Sequence, residues 1–507
     1  MTRRLGLAAL SVVLAVSSTT LAQPRGARGA QLYARHCSQC HGATGAGDGP
    51  ASQFVFPRPR VFRDSNAYAI RTTPAGELPT DDDLLRTITH GLPGTAMPPF
   101  GFLSEPQRRE LVAYIKTMNP SFRDPDFTRP AVTRPELRNP RPVEPTPESI
   151  ARGARLFKRN TCAACHGNRG RGDANRPASE PPLQYENGTP IFPANLTRPD
   201  LFRGGSTQLD VYRAVSTGLF GTPMPDYADG ISARDRWDLA NYVLSLSPPD
   251  VARIDDTVTA HWVETLPASA TDTAWRAAPV ARFRAVPNVI EAPRLFWAAV
   301  DRVEVQALYS DTTLAMRICW DDRTHSRGTD AEHEYPDGDT TVYEGTDHPD
   351  QLAVEFPAKL EPAARPYFLL GDHRRPVTAW WWRSDTGRAT VRSARGSTRI
   401  TALNGASIDA TVSWRDGRYT MVVRRPLASS RAGVVELAKG AFVPVAFNVW
   451  DGSRGEVGAR RAVTSWCWLH LEPPVPTRAY AAPAVTFLGC FGLLLLVVRR
   501  AQRGGGS

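Results

Sequence analysis

The sequence predicts a chain of several domains: two related all-α units, then a β-sandwich, then one C-terminal transmembrane helix. Three observations carry that reading. Two long segments repeat one another at an offset of about 125 residues. Beyond about residue 250 the chain turns to short runs of alternating apolar and polar residues. Near the end, 479 to 498 is an apolar run of 20 residues. A length of 507 residues leaves room for two to four domains with separate cores.

Taken from the front, "MTRRLGLAALSVVLAVSSTTLAQ" has two arginines, an apolar run and small residues ending at Ala22. That is the layout of a secretory signal over 1–22, which sends the rest of the chain out of the cytoplasm. The two units follow at 25–120 and 148–248. "RGAQLYARHCSQCHGATGAGDG" (28–49) answers "RGARLFKRNTCAACHGNRGRGDA" (152–174), and "LLRTITHGLPGTAMPPF" (84–100) answers "VYRAVSTGLFGTPMPDY" (211–227). So long an offset marks a duplicated domain rather than a solenoid. Each copy reads as a short helix, a Gly/Pro-rich middle and two later helices. Ser104 and Ser232 stand as N-caps of the last helix, and Leu111, Tyr114 and Ile115, like Leu239, Tyr242 and Val243, recur at helical spacing on its buried face. Between the copies, 121–147 is rich enough in proline to read as a stiff, extended linker.

In 260–473 the runs "DRVEVQALYS", "TLAMRICW", "QLAVEFP", "VTAWWWRS", "RYTMVVRRPL" and "VPVAFNVW" read as strands between Gly/Asp/Pro turns. With no helical pattern between them they predict a sandwich, with Trp380 to Trp382, Trp450, Trp466 and Trp468 mostly filling its core. At the end, a helix over 479–498 just spans a bilayer core. Arg499, Arg500 and Arg503 in the tail 499–507 would then stay cytoplasmic by the positive-inside bias. The formal charge of +10 comes almost wholly from arginine, since Lys116, Lys158, Lys359 and Lys439 are the only lysines. Acids are interspersed with it, which describes a solvated surface and argues against nucleic-acid binding.

The pentapeptides "CSQCH" (37–41) and "CAACH" (162–166) take four of the seven cysteines. A structural zinc site wants four such ligands, and each copy offers two cysteines and a histidine. A thioredoxin-like redox pair wants a βαβ context that is absent. Covalent haem attachment uses the spacing directly: two thioethers form on the porphyrin's vinyl groups, and the adjoining histidine faces the iron.

On these motifs each copy resembles a small class I cytochrome c domain. The resemblance implies covalent haem c on Cys37 and Cys40, and on Cys162 and Cys165. It also implies axial His41 and His166 and a sixth ligand on a later loop, usually methionine. Met97 and Met224 fall in matching "GTAMP" and "GTPMP" frames and take that role. His90 is a rival in the first copy, but its counterpart is Thr217, and Met118 sits in a helix as packing. Two such fully ligated sites suit electron transfer. Tyr33 and Phe157, ahead of the cysteines, are expected to pack on Tyr114 and Tyr242.

Residues 270–472 are similar to the haem-binding domain of ethylbenzene dehydrogenase and related molybdenum enzymes of the dimethyl sulfoxide reductase group. The stretches that carry the likeness are "DTAW", "MRICWDD", "DQLAVEFP", "GDHRRPVTAWWW", "VVRRPL" and "VPVAFNVWDGSRGEVGARRAVTSW". That resemblance implies a haem b held by a methionine beside the "GD" glycine and a lysine after "WDG". Here those positions read Leu370 and Arg461, or Arg460 with a one-residue slip. Leucine has no donor atom and arginine no free lone pair, so loss of haem b is expected, with His373 the one nearby rescue. For Cys319 and Cys467 two alternatives stand, a disulfide or two buried thiols, and Cys490 belongs to the apolar run.

Together these features predict a dihaem cytochrome c anchored on the periplasmic side of the inner membrane. It would relay electrons between a redox partner, with a molybdenum oxidoreductase as the candidate, and the respiratory chain. Two other classes remain open. One is a haem enzyme, such as a peroxidase or a thiosulfate-oxidising cytochrome, which needs an iron with an open position. The other is a sensor whose sandwich recognises a sugar or another small molecule.

Overall fold

The computed structural model describes residues 27–504, apart from 64–67, 75, 125–132, 174–182, 186–187, 189–190, 329–347, 362–363, 407, 430 and 475–476. The signal segment expected over 1–22 lies outside the described residues. In the first unit the helices are α1 (Ala27–His36), α2 (Ser38–His41), α3 (Asp81–His90) and α4 (Glu105–Met118). A short α5 (Pro135–Arg138) follows, and the second unit repeats the order with α6 (Pro147–Arg159), α7 (Ala163–His166), α8 (Gln208–Thr217) and α9 (Ala233–Ser245).

The local rules act alike in both copies. α3 and α8 each open on a capping box, Thr80 with Asp83 and Thr207 with Asp210. Ser232 accepts the Asp235 amide at 3.1 Å, and the Ser104 amide donates to the Gln107 side chain at 2.9 Å, so both expected caps stand at the start of the last helix. Leu111 and Ile115, like Leu239 and Val243, are buried on its inner face. The first and last helices of each unit cross at a glycine: a Cβ on Gly29 would collide with the Glu110 carbonyl, and one on Gly153 with the Asp238 carbonyl. Hydrogen is the only side chain that permits so close an approach. Beside each crossing Tyr33 meets Tyr114 at 5.4 Å and Phe157 meets Tyr242 at 5.3 Å, the pairing expected from the repeat.

The Pro-rich linker departs from the stiff spacer expected, because its described part is tied to both units. The Arg134 amide donates to the Thr72 carbonyl at 2.9 Å, and its guanidinium pairs with Asp226 at 2.6 Å. Glu136 of α5 pairs with buried Arg236 of α9 at 3.1 Å.

Among the described residues, the C-terminal half is built from fourteen strands. They are β1 (Thr257–Trp262), β2 (Ala281–Arg284), β3 (Val286–Pro287), β4 (Arg302–Tyr309), β5 (Thr313–Asp321), β6 (Gln351–Pro357) and β7 (Val377–Arg383). Then come β8 (Ala389–Ala394), β9 (Ile400–Ala402), β10 (Asp409–Trp414), β11 (Arg418–Pro426), β12 (Phe442–Trp450), β13 (Ala462–Val463) and β14 (Cys467–Leu471). All six runs read as strands are strands. The two-sheet sandwich expected is corrected, however: the strands join one continuous mixed sheet in the order β10-β11-β5-β4-β1-β14-β12-β6-β7-β8-β9. β12 makes the join, pairing with β14 through Phe442–Val445 and with β6 through Ala446–Trp450. The sheet folds back on itself, since Trp320 of β5 meets Trp382 of β7 at 6.0 Å and Phe283 of β2 stacks on Phe447 of β12 at 5.5 Å. Period-two alternation in "WWW" sends Trp380 and Trp382 to this inner core and Trp381 to a smaller cluster with Trp450 on the other face. Trp466 and Trp468 are only half-buried. Cys319 and Cys467 are both free thiols.

The expected transmembrane helix over 479–498 is overturned. A helix α10 (Thr477–Gly504) occupies the region, but among the described residues no helix is long and apolar enough to cross a membrane. The densely apolar part, Val485 to Val498, spans about 21 Å as a helix, against roughly 30 Å of hydrocarbon. Pro483 lies inside the helix, and Arg499 and Arg500 continue it.

The crossing glycine gives a direct test. Replacing Gly153 with valine should destabilise the chain by about 1–3 kcal/mol through overpacking against Asp238 and Tyr242, whereas Arg155→Ala on the exposed side of α6 should cost less than about 0.5 kcal/mol. Equal melting temperatures for the two variants would show that the crossing is not tight.

Candidate functional site

Each pentapeptide forms one turn of helix. The amides of Cys40 and Cys165 donate to the carbonyls of Cys37 and Cys162 at 3.2 Å, and those of His41 and His166 to the same carbonyls at 2.9 Å. Positions i, i+3 and i+4 share a helix face, so both sulfurs and the imidazole of each copy point the same way. Each imidazole is oriented through Nδ1, His41 toward the Arg60 carbonyl at 3.1 Å and His166 toward the Ala194 carbonyl at 3.0 Å. Burial pushes both rings below the usual histidine range, which keeps them neutral and leaves Nε2 as a lone-pair donor. Burial raises the thiols instead, Cys37 to about 11, with Cys162 also above its usual value. A redox dithiol depends on the reverse shift.

The methionine loops are built alike. Met97 and Met224 donate their amides to Thr95 Oγ1 and Thr222 Oγ1 at 3.1 and 3.2 Å, and their carbonyls accept from Leu92 and Leu219, both at 3.1 Å. Gly91 (φ +64°) and Gly218 (φ +63°) pass so close under these carbonyls that no side chain fits. The rival position His90 ends α3. Its counterpart Thr217 is buried, and its carbonyl accepts from Arg71 of the first unit at 2.8 Å.

In the second unit, Cys162, Cys165, His166 and Met224 line one cavity of about 570 Å³, within the range of cofactor sites. Its unit wall is apolar, with Leu196, Val211, Val215, Leu219 and Tyr227 among it. Opposite stands the sheet, with Trp297, Asp301, Arg302, Trp320, Arg323 and Arg454, and Phe56 reaches in from the first unit. In the first copy His41 stacks on Phe62 at 4.6 Å and Cys37 packs on the unit's core. The donor set of each copy, two thiols, a neutral imidazole and a thioether, fits a covalently attached, six-coordinate haem.

The sheet wall was not foreseen from the sequence. Arg198 binds Asp301 through both nitrogens at 2.8 and 2.9 Å, with Asp200 on its other side, and Asn195 donates to Asp321 at 2.9 Å. Arg454 lies 3.0 Å over the ring of Phe192. Apart from Asp200, these partners are separated by a hundred residues or more, and no local pattern announces such pairs.

With this geometry the comparisons with known proteins take on meaning. Residues 24–115 match the family model of cytochrome c oxidase, cbb3-type, subunit III, and residues 150–247 match that of cytochrome c. The chain therefore carries two cytochrome c domains in tandem, which implies covalently bound haem c. A protein of Haloferax mediterranei, named as a respiratory nitrate reductase haem subunit, is 26% identical over 246 residues, 48% of this chain and 83% of the relative. The chlorate reductase subunit gamma of Ideonella dechloratans is 31% identical over 173 residues, 34% of this chain and 65% of the relative. Among solved structures, the reducing HAO-like protein complex of Kuenenia stuttgartiensis matches at 37% identity, over 44% of this chain and 96% of that one, with a TM-score of 0.40.

The positions expected for haem b ligands lie elsewhere in the sheet. Leu370 is buried at φ +63°, in the cluster of Trp381 and Trp450. Arg461 is fully buried and gives its donors to Asn448 at 2.7 Å, Ser397 at 2.9 Å, Gly458 at 3.1 Å and Glu291 at 3.3 Å. Arg460, the slip alternative, donates to the Arg294 carbonyl at 3.1 Å. The His373 carbonyl accepts from Arg395 at 3.0 Å.

Near Arg461, Glu355 of β6 is fully buried, and burial lifts its carboxyl to about 8, partly offset by the arginine's charge. An unfolded glutamate titrates near 4.3. The native state therefore holds more protons between the two values, and stability falls as pH rises through that window, by at most about 1.4 kcal/mol per pH unit for this group. Glu355→Gln should flatten the decline in melting temperature between pH 5 and pH 8. An unchanged slope would mean the carboxyl ionises freely in the native state.

Proposed function

We propose that this chain is a dihaem c-type cytochrome of the periplasmic side. In this reading it passes electrons between an oxidoreductase and the respiratory chain. The observation that carries the proposal is the convergence of Cys162, Cys165, His166 and Met224 on one cavity, together with the repetition of their backbone setting around Cys37, Cys40, His41 and Met97. Bound there, haem supplies a one-electron couple. The cysteines anchor its edge, the carbonyls of Arg60 and Ala194 hold the imidazoles in orientation, and the Gly-Thr frames set the thioethers.

Thioether ligation favours the reduced state and raises the potential, and methionine in both copies leaves no open position for a substrate. That arrangement favours a carrier over a peroxidase-like enzyme. The names of the two relatives, both subunits of oxyanion reductases, support a reductase complex as the partner. The sheet's resemblance to the ethylbenzene dehydrogenase domain supports a molybdenum enzyme within that class. Secretion through the segment 1–22 accounts for the periplasmic location.

Denatured protein in alkaline pyridine should show two haems c per chain, and fewer would reject the reading; a haem b signal would show that Leu370 and Arg461 do not abolish that site. Met97→Ala and Met224→Ala should each lower one potential and open that haem to added carbon monoxide. Spectra unchanged from wild type would remove the methionines as ligands.

A further inference from the structure

Among the described residues, seven arginines and five carboxylates line the cavity that holds Cys162 and Cys165, so arginine predominates among its charged groups. Five of the arginines have carboxylate neighbours. Arg198 pairs with Asp301 at 2.8 Å, Arg302 with Glu304 at 3.1 Å, Arg418 with Asp321 at 2.8 Å, Arg171 with Asp321 at 3.6 Å and Arg454 with Asp451 at 3.9 Å. Arg203 and Arg323 are different. Among the described residues neither has a carboxylate at ion-pair distance, and each lies over an aromatic ring, Arg203 at 5.5 Å from Tyr185 and Arg323 at 5.4 Å from Phe192. Both rings belong to one short segment, closed by the Ile191 amide on the Leu183 carbonyl at 2.8 Å.

Among the described residues four acids lie in electrostatic range of Arg323, and none reaches it at ion-pair distance. Asp321 serves Arg418 and Arg171, Asp451 binds the Ser453 amide and hydroxyl, Asp322 binds Thr324 through one oxygen, and Asp173 stands beyond pairing distance. Burial, with the neighbouring Arg454 charge acting in the same direction, lowers the Arg323 guanidinium to about 9.

We propose that Arg203 and Arg323 are the counter-charges for the two propionates of the haem held at Cys162 and Cys165, so that the C-terminal sheet supplies part of the second cytochrome's site. Guanidinium pairs carboxylate through two parallel hydrogen bonds, and among the described residues two arginines of this wall stand without a carboxylate partner, one for each propionate. This inference rests on the dihaem reading above, and it makes Arg203 and Arg323 positioning residues that set the potential of one haem. With each propionate paired, its protonation is driven below the neutral range, and the potential of that haem does not follow pH.

The test is a spectroelectrochemical titration of the full-length holoprotein from pH 5 to pH 8, with the second haem assigned by comparison with Met224→Ala. Arg323→Gln and Arg203→Gln should each favour the ferric second haem at least tenfold, about 59 mV for a one-electron couple, and make its potential pH-dependent. The first haem should not move, and Arg323→Lys should recover most of the shift. Two covalent haems with wild-type potentials and pH profiles in both glutamine variants would overturn the proposal and leave the dihaem reading standing. If the glutamine variants do not accumulate, the wild type decides: a flat profile for the second haem supports the pairing, and a fall of one proton per electron in this range refutes it. A wild-type chain with fewer than two covalent haems would instead defeat the dihaem reading itself.

Discussion

The guanidinium of Arg198 is the constraint on which the arrangement of the second unit and the sheet depends. It is nearly inaccessible to water, and it spans Asp200 of its own unit and Asp301 at the entry to β4. Taking this guanidinium out of water is costly, and the cost is offset because each carboxylate accepts from two of its nitrogens. From there a circuit of alternating charge closes the seam. Arg302 next to Asp301 pairs with Glu304, Glu304 with Arg418, Arg418 with Asp321, and Asp321 receives Asn195 from the second unit. Several of the same side chains form the cavity wall, so one network both joins the domains and fixes the electrostatics at Cys162 and Cys165.

How much of this was legible in the sequence depended on the range of the interaction. Caps at Ser104 and Ser232, the buried stripe of α9 and the alternation of "VTAWWWRS" are set by neighbours within a few residues, and each was read directly. The pentapeptides and methionine frames were legible because the chain contains two copies, each acting as a control for the other. What escaped lay at long range. Neither the continuity of the sheet through β12 nor the clamp from Arg198 to Asp301 leaves a local signature. The C-terminal segment misled for another reason: its composition resembles a membrane span, but its dense part is roughly two turns short.

The two copies also show where duplication stops being symmetric. Their pentapeptide turns, crossing glycines and methionine loops agree, yet their outward faces have acquired different neighbours. Thr217 ends α8 with its carbonyl bound to Arg71, and Arg86 of α3 reaches the Asp210 carboxylate at 2.5 Å and the Gly204 carbonyl at 2.6 Å, so two arginines of the first unit dock it on the second through two main-chain carbonyls and one carboxylate. Phe56 completes the contact, meeting Trp297 of the sheet half at 4.6 Å and Phe192 of the second unit at 6.2 Å. One aromatic group therefore belongs to all three parts of the chain.

The shared strand β12 has a mechanical consequence. Because its first half is laddered to β14 and its second half to β6, the two faces of the folded sheet cannot part like the covers of a book without tearing a single strand from both neighbours. Hydrogen exchange across β12 would then report one cooperative opening for the whole sheet. A redox centre seated against so stiff a wall changes charge with little movement of the dipoles around it, and such immobility keeps the cost of each electron's arrival and departure low.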